Sequence, residues 1–394
     1  MWHPCRWRER LILLSSVVLC GCLPDDIVWL QDSGGFVFSS PRSSGSSDGA
    51  EIQSVFHYDV NKKTLHVVIP PGAMHRTTRP GVRLDGQRIA VAQLWTRGDD
   101  LFVHVHTVDL GGKVDVWSEP YRITNPIFGW GEDPRKKENR HGSFQVQEAA
   151  VAWTRDGRRL LVSHSGGQAQ YDFKNHTFRE YDTSDNPLLP IDPLLPDGSG
   201  FLAVFPWDAP PGEPGYVSML RNLVAVRWEG EKRTLRLDPE LAATLSKLEK
   251  ENEQAFLKGT RRNPYFRRRG SWQDGIGIVP YRRGNVVIDP KDLTVTYRDD
   301  PAAARLWDWA ERSRVDAMVP LGDGQVTIAL RSAEVAVCKP QSGWKVLASG
   351  VQDADFFPSP NKELAAVRCR MSNGVFRIIV VDRNGETIGE FDTL

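Results

Sequence analysis

The sequence predicts an all-β repeat fold, and three observations carry that expectation: a recurring turn, short apolar strands around it, and a composition rich in glycine and tryptophan. Seven times along the 394 residues a turn built on Asp, once on Asn, precedes an apolar strand. The turn residues are Asp32, Asp85, Asp156, Asp197, Asp274, Asp323 and Asn361. Asp, Asn and Gly suit such turns because they tolerate left-handed backbone, and Asp and Asn also bond their own main chain. The shorter intervals, 41 and 38 residues, fit a four-stranded unit, for which about 40–45 residues is usual. Longer intervals require insertions. Thirteen Trp and 34 Gly suit packed strands and turns better than a helical bundle.

Taken in order, the chain opens on a basic stretch, Arg6, Arg8 and Arg10, followed by an apolar run from Leu11 to Cys20. That run is too short to span a bilayer as a helix and has the proportions of a secretory signal. It ends in Leu19-Cys20-Gly21-Cys22, which resembles the bacterial lipoprotein box. Cys20 departs from the small residue usual there, and Gly21 meets the demand for a small residue before the lipidated Cys. The resemblance implies a signal over residues 1–21, lipidation of Cys22 and a short tether over 22–26. An ordinary cleaved signal or an uncleaved anchor is the alternative.

Repeats then occupy residues 27–394. Ser39 to Gly49 reads as a flexible hairpin loop in the first repeat. Leu101 to Val108 alternates as a strand does. An insertion spans about 121–145, and the third repeat resumes with strands at Val151–Trp153, Leu160–Ser163, Ala169–Asp172 and Thr177–Tyr181. A second insertion, 238–269, begins as a helix: Asp238 caps, Pro239 suits the first turn, and Leu241, Leu245, Leu248 and Phe256 share a face up to Gly259. Because it lies outside the repeat, the sheets are expected to fold without it. The last repeat reads Asp355–Phe357, Leu364–Arg370, Phe376–Val381 and Thr387–Phe391, with Asn373-Gly374 and Asn384-Gly385 as hairpin turns.

Up-and-down sheets in series would each expose two apolar faces, and stacking them radially buries both. The expected fold is therefore a β-propeller of four-stranded blades, seven by the count of turns and six if the weak copy at Asp274 is dropped, with one helical insertion. Four strands already fill the last repeat and little chain precedes Ile27, so closure should rest on face packing of the first and last blades. Trp153-Thr154-Arg155-Asp156-Gly157 and Leu195-Pro196-Asp197-Gly198 resemble the units of TolB-like and WD-repeat propellers, the TolB-like branch more. That resemblance covers residues 25–392 and implies the fold; propellers host binding proteins and enzymes alike.

Lys plus Arg equals Asp plus Glu at 50 each, which argues against whole-surface attraction to nucleic acid. Removing residues 1–21 takes three arginines and one glutamate, so the net charge falls from 0 to −2. Cys338 and Cys369 would then remain, as buried thiols or as a disulfide. Gly45-Ser46-Ser47-Asp48-Gly49 matches a nucleophile elbow but sits in the Ser/Gly loop without a following helix. His104 and His106 share a strand face, suited to two metal ligands without an evident third. Regular recurrence of the turn Asp residues points to backbone capping, not catalysis or calcium. Leu306-Trp307-Asp308-Trp309 is expected to bury its rings between blades, with a sugar- or partner-binding platform as the other reading.

Arg261, Arg262, Arg267, Arg268 and Arg269 surround Tyr265 and Phe266, a composition suited to an acidic partner or anionic head groups. The sequence thus predicts a monomeric lipid-anchored extracytoplasmic scaffold, held to the membrane by its N-terminal lipid. It would bind a protein or cell-envelope component, with no nucleic acid, metal, cofactor or catalytic residue. The alternative is a propeller enzyme of glycosidase or lactonase type with a central-channel site.

Overall fold

The structure, a computed structural model, describes residues 27–42, 52–70, 76–77, 80–97, 100–111, 113–123, 150–164, 167–181, 193–204, 213–257, 270–281, 283–322, 324, 326–339 and 343–393. Their strands form seven sheets in chain order. Sheet 1 holds β1 (Ile27–Trp29), β2 (Gly35–Arg42), β3 (Ile52–Asp59) and β4 (Thr64–Ile69). Sheet 2 holds β5 (Arg76–Thr77), β6 (Gly81–Val82), β7 (Arg88–Arg97), β8 (Asp100–Asp109), β9 (Val114–Trp117) and β10 (Tyr121–Arg122). Sheet 3 holds β11 (Ala150–Trp153), β12 (Arg159–His164), β13 (Gly167–Asp172) and β14 (Thr177–Tyr181).

Sheet 4 holds β15 (Gly200–Val204), then after helix α1 (Gly215–Arg221) β16 (Leu223–Arg227) and β17 (Lys232–Thr234). A single bridge from Leu194 to Phe201 stands for its first strand. Next come β18 (Arg236–Leu237) and helix α2 (Pro239–Leu257), then β19 (Ser271–Gln273), β20 (Ile276–Tyr281), β21 (Gly284–Asp289) and β22 (Thr294–Asp299) of sheet 5. β18 joins β22 in parallel, the exception in otherwise antiparallel sheets. Helix α3 (Pro301–Ser313) leads to sheet 6: β23 (Ala317–Leu321), β24 (Val326–Arg331), β25 (Glu334–Lys339) and β26 (Gly343–Ser349). Sheet 7 holds β27 (Val351–Pro358), β28 (Leu364–Met371), β29 (Phe376–Asp382) and β30 (Thr387–Thr393).

The fold is a β-propeller, and its seven sheets match the seven turns: each turn residue falls between the first and second strand of one sheet. Six blades are ruled out, since the weak copy at Asp274 does open a sheet of its own, between β19 and β20. Where one helical insertion was expected, the described residues hold three helices. The run at 306–309 lies within α3, where Pro301 and three alanines favour helix over an inter-blade wedge. The start of the 121–145 insertion, Tyr121 and Arg122, pairs with β8 as part of sheet 2.

The chain divides into two compact units. One holds sheets 4 and 5 with α1 and α2. Its core joins Leu202, Val204, Leu223 and Ala225 of sheet 4 to Val279, Val286, Ile288 and Val295 of sheet 5. The other unit holds sheets 1, 2, 3, 6 and 7 with α3. Its cores also lie between neighbouring sheets: Val37 and Val55 against Ile89 and Val91, Ala90 and Val103 against Val151 and Leu160, Val319 and Ile328 against Val367 and Ile379.

Within this unit the last sheet packs on the first. Ile27, Trp29, Phe36 and Tyr58 meet Phe357, Ala366, Ile378 and Val380. The Trp29 indole N–H donates to the Phe357 carbonyl at 2.8 Å, and Phe391 lies 4.9 Å from the Tyr58 ring. Gly389 is needed there because a Cβ would collide with the Tyr58 hydroxyl. Among the described residues sheet 7 is built from 351–393 alone, so the closure uses face packing without a shared strand.

Candidate partner-binding end of the sheets

Strand parity gives every sheet two unlike ends. The turns between strands one and two, and between three and four, lie at one end. The connections between strands two and three, and from one sheet to the next, lie at the other.

The turn end is closed by carboxylates bonded to their own loops. The Oδ1 atoms of Asp32, Asp85, Asp156, Asp197 and Asn361 accept the backbone N–H two residues on, at 2.8–3.0 Å. The expected capping role is what these five side chains perform; Asp274 caps no backbone N–H and instead takes a left-handed backbone with φ of 50°, and Asp323 lies outside the described residues. A second series, missed from the sequence, caps the third-to-fourth strand turns. Asp59 accepts from Lys62, Asp109 from Lys113, Asp172 from Lys174 and Asn175, Asp289 from Lys291 and Asp292, and Asp382 from Asn384 and Glu386. The signal was present: Asp59, Asp172, Asp289 and Asp382 each stand five residues before a Thr that starts the next strand.

These bonds set the carboxyl chemistry. Asp59 is held below the usual carboxylate range by the Lys62 N–H and ammonium, Asp85 by the Arg83 guanidinium. Burial pushes Asp156 and Asp197 upward, but the hydroxyls and backbone N–H groups of Thr154, Arg158 and Ser199 outweigh it and both end lowered. A carboxylate so held is a poor proton donor at neutral pH.

The described helices lie on connections of the second kind, between strands two and three or from one sheet to the next: α1 and α2 in the unit of sheets 4 and 5, α3 in the other unit. Residues 43–51, 124–149, 182–192 and 258–269 lie outside the described residues. The nucleophile-elbow match at 45–49 is among the residues outside the description. So is the candidate contact Arg261, Arg262, Tyr265, Phe266, Arg267, Arg268 and Arg269, and so is Cys22.

The helix that leads into that contact is described. Asp238 caps it, its Oδ1 accepting the Leu241 N–H at 2.8 Å. Leu241, Ala242 and Leu245 are 7%, 5% and 1% exposed and belong to the core shared by sheets 4 and 5. This corrects the expectation that the insertion is dispensable: its first turns bury their apolar side chains in the core of sheets 4 and 5. Along α2, Glu249 accepts a hydrogen bond from the Tyr281 hydroxyl. Tyr281 stacks on Tyr216 of α1, with ring centroids 4.9 Å apart and planes within 3°. Glu213, before α1, is lowered by the Arg221 guanidinium first and the Ser218 hydroxyl second. α1, α2 and the β20–β21 hairpin are thus fastened together at the connection end of this unit. Neither tyrosine carries a sequence signal, since their meeting depends on two separate connections.

His104 and His106 do share a face of β8, with His106 only 4% exposed. Burial takes His106 down to about 4, with the His104 charge adding to the effect. His57 on β3, also buried, is lowered chiefly by desolvation. Among the described residues no three His, Cys, Asp or Glu side chains gather as metal ligands. Cys338 and Cys369 are free, and burial pushes the Cys369 thiol up to about 12. Trp307 is buried, whereas Trp309 is half-buried and stacks on Trp344 of β26.

No family model and no curated protein matches the chain. Among solved structures it is similar to a prolyl endopeptidase at 12% identity and a TM-score of 0.44, over 94% of this chain and 49% of that one. TolB from Acinetobacter baumannii is 10% identical with a TM-score of 0.25, over 93% of this chain and 53% of that one. The β-propeller domain of the Trilobed protease from Pyrococcus furiosus is 10% identical with a TM-score of 0.42, over 92% and 96%. The likeness is one of fold. The chain spans about half the length of the first two proteins.

Proposed function

We propose that this protein is a lipid-anchored, extracytoplasmic β-propeller that binds another protein or a cell-envelope component through the connection end of its sheets and performs no chemistry. The observation that carries the reading is the division of labour between the two ends. The first-to-second and third-to-fourth strand turns are spent on self-capping, and the three described helices lie on the other connections; the arginine-rich segment 261–269, outside the described residues, follows α2 in the sequence. Loops displayed by a rigid scaffold are where binding residues concentrate. Five arginines around Tyr265 and Phe266 suit an acidic partner surface.

The enzyme alternative of glycosidase type needs one carboxyl held protonated beside a second. Asp59, Asp85, Asp156, Asp197 and Glu213 are each shifted the other way and do not fit the role of that acid. The anchor rests on the Leu19-Cys20-Gly21-Cys22 sequence. Cys22→Ser is expected to move the protein to the soluble fraction or to leave the precursor unprocessed, read by fractionation and intact mass. Cross-linking and capture from membranes, repeated with Arg267, Arg268 and Arg269 changed to Ser, tests the contact. Unchanged recovery of the same partners would refute it.

A further inference from the structure

We propose that the seam between sheets 1 and 2 is an acid-released joint, closed near neutral pH and opened when the histidines on its two walls take up protons. Strand register puts the histidines there. His57 of β3 lies opposite Val37 of β2 and His66 of β4, so the three share a face of sheet 1. On β8, His106 lies opposite Val91 of β7 and His104 opposite Gln93, again on one face. These are the two faces that meet: Val37, Val55 and Val68 pack against Ile89, Val91 and Val108 within one compact unit.

Burial sets this seam apart from the others. Among the described side chains His57 and His106 are the buried histidines, 9% and 4% exposed, and they stand on opposite walls of the same interface. Among the described residues the cores between sheets 2 and 3, 6 and 7, and 7 and 1 hold no histidine.

Aliphatic walls give an imidazolium nothing in place of its water. Burial is the first cause that lowers His57; the His66 and Lys62 charges add to it, and Asp59 and Asp32 oppose it. Its Nε2 has no hydrogen-bond partner and sits against β2, where a Cβ on Gly35 would stand 2.8 Å from it. Both carboxylates are engaged in their own turns, Asp32 with the Gly34 N–H and Asp59 with the Lys62 N–H and ammonium. Around His106 the positions opposite, Val91 and Trp117, are uncharged, and burial first and the His104 charge second take it down to about 4.

Opening lets water reach both rings and returns them toward the free value near 6.5. The closed seam therefore keeps its full stability above that pH and loses it as pH falls toward 4. His106 alone makes the opening constant roughly twentyfold larger at pH 5 than at pH 7, and His57 adds to this. The sheets themselves persist, because the rings stand on sheet faces and take no part in the ladders between strands. Sheet 1 also stays fastened to sheet 7 through Trp29 and the Phe357 carbonyl.

Hydroxyl-radical footprinting of the full chain at pH 7 and pH 5 tests the joint, with circular dichroism to follow the strands. Peptides carrying Val37, Val55, Ile89 and Val91 should gain label severalfold at pH 5, whereas those carrying Val319, Ile328 and Ile379 of the sheet 6–sheet 7 core should not. His57→Leu with His106→Leu should hold labelling at pH 5 to its level at pH 7. His57→Gln with His106→Gln, neutral at both pH values, serves if the leucine pair does not fold. The proposal fails if sheets 1 and 2 label equally at both pH values, if the sheet 6–sheet 7 core gains as much, or if the gain survives in the double variant.

Discussion

At the scale of single residues, the molecule is organised by Asp side chains that close turns. Asp172 accepts two backbone N–H groups at 2.8 and 3.1 Å, donors that a tight turn otherwise leaves to water. Asp172→Ala should cost about 1 kcal/mol, in the range of other lost side-chain caps, read from urea denaturation. Position four of the same turn is left-handed, with φ of 55° at Lys63, 53° at His176 and 56° at Leu293. An L-residue there is strained, and Lys63 is exposed. Lys63→Gly should therefore stabilise the fold by about 0.5 kcal/mol, the relief of left-handed strain less the extra freedom glycine gives the unfolded chain. A lower denaturation midpoint would contradict the argument.

At the scale of elements, α2 behaves as part of the core of its unit. Its Leu245 is 1% exposed among side chains from sheets 4 and 5. Leu245→Ala should destabilise by about 2–4 kcal/mol through lost transfer energy and the cavity left behind. Removing the whole helix should unfold sheets 4 and 5, visible as lost amide protection. A surface lid would show neither effect. The β18–β22 pairing adds to this, because the chain leaving sheet 4 is tied to the outer strand of sheet 5 before α2 begins.

For the molecule as a whole, two properties follow from burial. The first is the fastening of sheet 1 to sheet 7. Trp29→Phe keeps most of the ring but leaves the Phe357 carbonyl without its indole donor, and should cost about 1–2 kcal/mol with loss of cooperativity between the chain-terminal sheets. The second is acid sensitivity. Free histidine titrates near 6.5 and His106 near 4 when folded, so between these values the unfolded chain binds more protons. Stability is then fully present above about pH 6.5 and falls as pH drops toward 4, by up to about 3 kcal/mol. His106→Leu should flatten the melting temperature between pH 7 and 4.5; an unchanged slope would remove His106 as the cause.

The sequence by itself determined the repeat, the sheet count and most strand positions. Turn chemistry and strand alternation are local: Asp156-Gly157 or Asn384-Gly385 need only their neighbours to bend the chain. The strands foreseen for the third and last repeats fall within β11–β14 and β27–β30 for that reason. Tertiary structure alone decided where helices replace wedges, that α2 is core, that Tyr216 meets Tyr281, and that Trp309 meets Trp344. These pairings join residues 35 to 65 positions apart, brought together by sheet packing and not by any local preference. Burial also set the titration of His106, because desolvation is a property of the packed interior and leaves no trace in the residue's immediate neighbours.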